Sequence, residues 1–220
     1  MMITHHWNAN SYDRVSILTA SKSSTILAGK LQQTIEKISP EIEVTIQSSD
    51  KAELSARTWF CPLILDLPPS LPFAGQTTYQ RCRDGKALRQ TVAEWGYAVG
   101  DGRYWLPIVL TAKGPLYAEA IARDASHFYQ PWHLNDATRQ TLYRLGYRLL
   151  QAIAAIPGVY LLQFDEGEPL CFDRIIPFPD EPALASIGVQ DPDLLMSYWY
   201  CQIGTPIRDL QIQQQPLSNA

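Results

Sequence analysis

Arg14-Val-Ser-Ile-Leu-Thr19 is rich in β-branched residues and contains no breaker, so it reads as a short buried strand. Leu27, Leu31, Ile35 and Ile38 follow at helical spacing, and Ser39-Pro40 stops the run. Ile42, Val44 and Ile46 alternate with Glu43 and Thr45, the pattern of a half-exposed strand. Leu63-Ile-Leu-Asp-Leu67, ended by Pro68-Pro69, is a further buried-strand candidate, so residues 1–70 form a small α/β layer. Pro68 to Thr78 is the connector. Beyond it, Asp84 can cap a helix carrying Leu88, Val92 and Trp95 on one face, with Gly96 to end it.

The pattern then predicts strands over Tyr104–Thr111 and Leu116–Ala122, followed by an aromatic loop, His127-Phe-Tyr-Gln-Pro-Trp-His133. Leu142, Leu145, Leu149 and Ile153 mark the clearest helix, opened by Asn135 or Asp136 and closed at Pro157-Gly158. Val159–Phe164 and Leu170–Ile175 make a hairpin around Asp165-Glu-Gly-Glu168; a proline-rich loop and a helix over Asp193–Ile203 come next. The architecture expected is α+β: a small N-terminal α/β layer packed on a C-terminal hairpin-and-helix unit over 79–210. These two parts can also form one continuous domain, and residues 211–220 are expected to be a flexible tail.

Composition narrows the function classes. A net charge of −4 argues against a broad nucleic-acid surface, which needs clustered cations. No apolar run is long enough for a transmembrane helix, and the polar start does not resemble a signal peptide. Cys61, Cys82, Cys171 and Cys201 stand far apart without a CxxC pair, which suits reduced thiols in the cytoplasm and not a structural metal site. No metal and no cofactor is expected. Ser21, Lys22, Ser23, Ser24 and Thr25, between a strand and a helix, form a candidate phosphate-binding turn; they also suit plain helix capping.

The order from Gly158-Val-Tyr-Leu-Leu-Gln-Phe164 through Asp173-Arg-Ile-Ile-Pro-Phe-Pro179 to Gly204-Thr-Pro-Ile207 resembles the C-terminal part of the ATP-grasp ligases. The nearest likeness is the carboxyaminoimidazole ribonucleotide synthase family. The resemblance implies an ATP-grasp-like fragment, with Gln163 where the family has a metal-binding Glu on its first strand. It aligns Asp173 and Arg174 with the start of the family's Asn-Glu-Ile-Ala-Pro-Arg-Pro segment. Magnesium needs hard carboxylate oxygens, so Gln163 and Arg174 mark ligand positions as lost. Between Phe73 and Tyr104 there is no counterpart of the Gly-rich, Lys-containing segment that covers ATP phosphates; Gly85-Lys86 is the nearest approach.

The function expected is therefore a non-catalytic interaction or assembly protein, with another protein as partner. Phe178, Pro177, Pro179, Trp199 and Tyr200 are the candidate partner-binding residues, since aromatics on rigid loops lose little entropy on binding. The alternatives are an altered nucleotide-binding enzyme using Asp165, Glu166, Asp173 and Arg174, or a small phosphate-ligand-binding module using the Ser21 to Thr25 turn.

Overall fold

The computed structural model of the protein describes residues 12–20, 25–52 and 57–213. The N-terminal layer is a parallel sheet in the order β2-β1-β3, with β1 (Arg14–Thr19) central between β2 (Glu43–Ser48) and β3 (Thr58–Pro62). Helix α1 (Thr25–Ile38) makes the crossover and buries Leu27, Leu31 and Ile35 on the sheet.

The third strand lies five residues earlier than the apolar pattern suggests. β1 ends at Thr19, so Leu63 donates one last hydrogen bond to the Leu18 carbonyl at 2.9 Å and the chain leaves the sheet. Leu63, Leu65 and Leu67 then pack as irregular chain. Pro62 closes β3, where an edge strand tolerates the missing donor.

The larger sheet runs β4-β10-β9-β5-β7-β8. Its strands are β4 (Ala98–Val99), β5 (Tyr104–Thr111), β6 (Gly114–Tyr117), β7 (Ala120–Arg123), β8 (Phe128–Trp132), β9 (Gly158–Asp165) and β10 (Cys171–Ile176); β6 pairs with β5 alone. The expected hairpin is β9–β10, and β9 also pairs antiparallel with β5 from Tyr104↔Phe164 to Leu110↔Gly158. β9 is apolar almost without interruption because both its faces are covered. On one face, Tyr160, Leu162 and Phe164 join Leu142, Leu145 and Leu149 of α4 (Asp136–Ala152). On the other, Val159 and Leu161 pack with Trp199 of α5 (Leu194–Ile203) and with α1 residues in one core.

Helices α2 (Gln76–Arg83) and α3 (Gly85–Glu94) flank the sheet near β10. Three side-chain caps act as the sequence implies. Asp84 accepts from Ala87 N at 3.1 Å, Asn135 from Thr138 N at 2.9 Å, and Asp193 from Leu195 N and Met196 N. α4 comes very close to β5 at Gly146, where a Cβ would sit 2.7 Å from Ile108 Cδ1. Trp199 Nε1 donates to Ser39 Oγ at 3.0 Å, joining the two sequence halves inside the core.

Other local expectations are corrected. The end of the connector, from Gln76 to Thr78, opens helix α2; it shows only Thr78, Tyr79 and Cys82 as buried positions, so its apolar period is faint. The Tyr79 hydroxyl holds it by donating to Pro62 O at 2.8 Å. The aromatic loop is edge strand β8, and the single strand expected over Leu116–Ala122 is split into β6 and β7. Gln211–Ile212, placed in a loose tail, form strand β12, paired with β11 (Gln190–Asp191).

Burial also overturns the partner surface expected around Phe178. Phe178 is 4% exposed and stacks on Tyr79 with ring centroids 5.8 Å apart; Pro177 and Pro179 are buried and Trp199 is fully buried. These side chains anchor the proline loop to the protein's own core, and Tyr200, half-buried, lines a surface cavity. Phe178→Ala should therefore lower stability by about 3–5 kcal/mol, the usual cost of deleting a buried ring. Chemical denaturation measures it; an unchanged midpoint and slope would contradict the burial.

Candidate functional site

Along β10, side chains should alternate between faces, which would set Asp173 opposite Phe172 and Arg174. The register instead steps from Phe172↔Phe164 to Arg174↔Gln163, so Asp173 is an extra residue in a bulge. The bulge turns the Asp173 carboxylate inward, with only 4% of its side chain exposed, while Arg174 points out with 55% exposed.

A buried carboxylate must be paired. Asp173 Oδ1 accepts from Arg89 Nη2 at 2.5 Å, and Arg89 Nε donates to the Asp173 carbonyl at 3.0 Å. Arg89 stands on α3 and also reaches Asp101 at 3.2 Å. Arg174 Nε approaches Asp173 Oδ1 at 3.3 Å. Burial works to raise the Asp173 pKa. Hydrogen bonds from Arg89 and the Gly102 amide, with the charges of Arg174 and Arg89, outweigh it and hold the carboxyl below its ordinary value. The hydrogen bond to Asp173 raises the Arg89 pKa in turn, so both remain charged.

The loop from Gly100 to Arg103 is gripped by the same corner. Gly102 N donates to Asp173 Oδ2 at 3.0 Å, and Gln163 Nε2 donates to Gly102 O at 2.7 Å. Gly100 N and Arg103 N donate to the carbonyls of Phe172 and Phe164. Only glycine fits at 102, since a Cβ would lie 2.7 Å from the Phe164 backbone N and O. Beside this clamp, Arg103 Nε donates to Asp165 Oδ2 at 2.8 Å, and Trp132 Nε1 donates to Glu166 Oε2 at 2.7 Å.

A scan against family models finds no match for this chain, and a search of curated proteins finds none. Solved structures do match in shape. The N5-carboxyaminoimidazole ribonucleotide synthetase of Thermotoga maritima superposes with a TM-score of 0.69 at 7% identity, over 91% of this chain and 78% of that one. The carboxyaminoimidazole ribonucleotide synthase of Aspergillus clavatus, solved with ATP, gives 0.71 at 10% identity, over 92% and 80%. The L-amino acid ligase of Bacillus licheniformis gives 0.59 at 9%, over 84% and 73%. The chain has the ATP-grasp fold.

Within that fold, Asp165, Glu166, Asp173 and Arg174 do lie at one corner of the sheet, but each is engaged within the chain. The magnesium that the resemblance implies does not fit this donor set. Gln163 turns an N–H toward a carbonyl, and Asp173 is already surrounded by two guanidiniums and an amide. Among the described residues no group of three or more His, Cys, Asp or Glu is placed to hold a metal ion. The stretch where the phosphate-covering segment was sought is α2, α3 and β4. The candidate phosphate turn, Ser21 to Ser24, lies outside the described residues, as does the side chain of Thr25.

Sequence reasoning missed Arg89 and Gly102. The run Gly100-Asp-Gly102 before a strand was the available signal for a close backbone approach. Arg89→Met should cost about 3–5 kcal/mol at neutral pH, because it leaves the buried Asp173 carboxylate short of its main partner. Arg174→Met, at an exposed position, should cost under about 1 kcal/mol.

The pH dependence has a fixed sign. In the parent, a depressed Asp173 pKa gives stability that is present above the unfolded value and lost as pH falls through the folded one. The Arg89→Met deficit should accordingly shrink as pH drops below about 4. Equal losses for both variants at pH 7, or a pH-independent deficit, would contradict the pairing.

Proposed function

We propose that the chain is a non-catalytic ATP-grasp-fold protein that works by binding another protein. The observation that carries this reading is the Gly102 clamp. Gln163, at one lost ligand position, donates to the Gly102 carbonyl, and Asp173, next to the other at Arg174, accepts from the Gly102 amide with its charge neutralised by Arg89. Asp173, matched by Arg89 and the Gly102 amide, is not left to meet a cation. The four cysteines are free, and three are buried, with the thiols of Cys61, Cys82 and Cys201 pushed up to about 12 chiefly by desolvation. Such inert thiols suit a reducing compartment.

The second reading is an altered nucleotide-binding enzyme centred on Asp165, Glu166, Asp173 and Arg174. It is favoured by the fold, since solved neighbours include a synthase complexed with ATP and a synthetase complexed with ADP. Titration calorimetry with Mg-ATP on the purified chain separates the two. The expected outcome is no saturable heat at micromolar to millimolar nucleotide. Micromolar affinity abolished by Asp173→Ala would overturn the non-catalytic reading.

A further inference from the structure

β6 has one sheet neighbour, β5, and faces the segment that follows α5. Between them runs an open trough of about 520 Å³, with Leu116 on one wall and Pro206 and Ile207 on the other. It shares Lys113 and Ile207 with a smaller cavity of about 90 Å³ that reaches Tyr200 on α5. The walls are stiff. Gly204 at φ +72° ends α5, Thr205 N donates to Tyr200 O at 2.9 Å, and Pro115 and Pro206 fix their own φ angles.

The charge at this trough is one-sided. Lys113 and Arg208 stand at its rim, both exposed, and neither side chain has an ion pair or hydrogen bond among the described residues. No acidic residue lines it. The adjacent Asp209 accepts from Leu210 N and Gln211 Nε2. Two unpaired cations over an apolar floor are out of keeping with a chain of net charge −4.

We infer that this trough docks an extended acidic peptide segment of a partner protein, its apolar side chains on Leu116 and Ile207 and its carboxylates at Lys113 and Arg208. An open-ended trough beside a strand with one free edge suits an extended chain. Complementary charge would set its register and speed its capture. This inference rests on the interaction reading above and names the partner's chemistry. The surface differs from the one expected around Phe178.

Fluorescence polarisation with a short labelled peptide of alternating leucine and glutamate tests it, with a leucine–lysine peptide as control. The acidic peptide should bind saturably, more weakly as salt rises, and the lysine peptide should not. Because both cations are exposed, the double variant Lys113→Glu/Arg208→Glu should fold as the parent does. It should lose the acidic peptide by at least ~tenfold and gain the lysine one.

No binding of the acidic peptide, or equal binding by parent and double variant, would overturn the inference. Saturable binding of laurate without any binding of the peptide would assign the trough to a small amphiphile, and capture of phosphatidylserine vesicles in place of the peptide would assign it to a lipid surface; each rejects the proposal. Loss of the peptide result while Mg-ATP still fails to bind would reject the trough alone. Mg-ATP affinity abolished by Asp173→Ala would reject the parent reading.

Discussion

A carboxylate that is taken out of water must be matched in charge and in hydrogen bonds, and Asp173 imposes that demand on the corner around it. The bulge in β10 aims it inward; α3 presents Arg89 to neutralise it; the loop before β5 offers Gly102 N. Removing the bulge would send Asp173 to the other face of the hairpin, so the pairing and the local backbone depend on each other. Arg89 is also the tie between α3 and β10, bonding both the side chain and the carbonyl of Asp173. One ion pair thus fixes a helix, a strand and a loop together.

The rest of the molecule is arranged around β9, which is covered on both faces and paired on both edges. Its central place explains why one strand of eight residues can serve two cores at once. Val159 and Leu161 serve the side that reaches α5 and α1, while Tyr160, Leu162 and Phe164 serve the side that reaches α4. Trp199 bonds to Ser39 across the join, so the N-terminal layer is packed into the same core as the C-terminal helix.

The elements legible in the sequence are those whose signals are local. α4 has a cap at Asn135 and a leucine stripe; the β9–β10 hairpin has two apolar runs about a short acidic turn. What could not be read depends on partners distant in sequence. β3 sits where β1 has backbone groups left to pair, not where the longest apolar run falls. α2 is held by Tyr79 and Thr78 bonding to chain segments far away. Phe178 between two prolines looks the same in sequence whether it faces solvent or Tyr79. At the candidate site, the sequence singled out Gln163, Asp173 and Arg174, which the structure brings to one corner. Arg89 and Gly102 were not legible, because strand alternation gives no hint of a bulge.

The clamp and the trough lie at opposite ends of one strand. β5 starts at Tyr104, beside Gly102 and Phe164, and ends at Thr111, which lines the trough; its eight residues span roughly 23 Å at about 3.3 Å per residue. At the first end a glycine backbone lies so close to β9 that no Cβ can enter, and the polar side chains are satisfied within the chain. At the second end two cations have no partner among the described residues and stand over apolar walls. A charge left unpaired beside a concave apolar surface gains most when a complementary partner arrives, whereas a satisfied buried pair must be broken before it can bind anything. On that physical ground the proposed docking falls at the Thr111 end, while the Asp173 corner ties α3, β10 and the loop before β5 together.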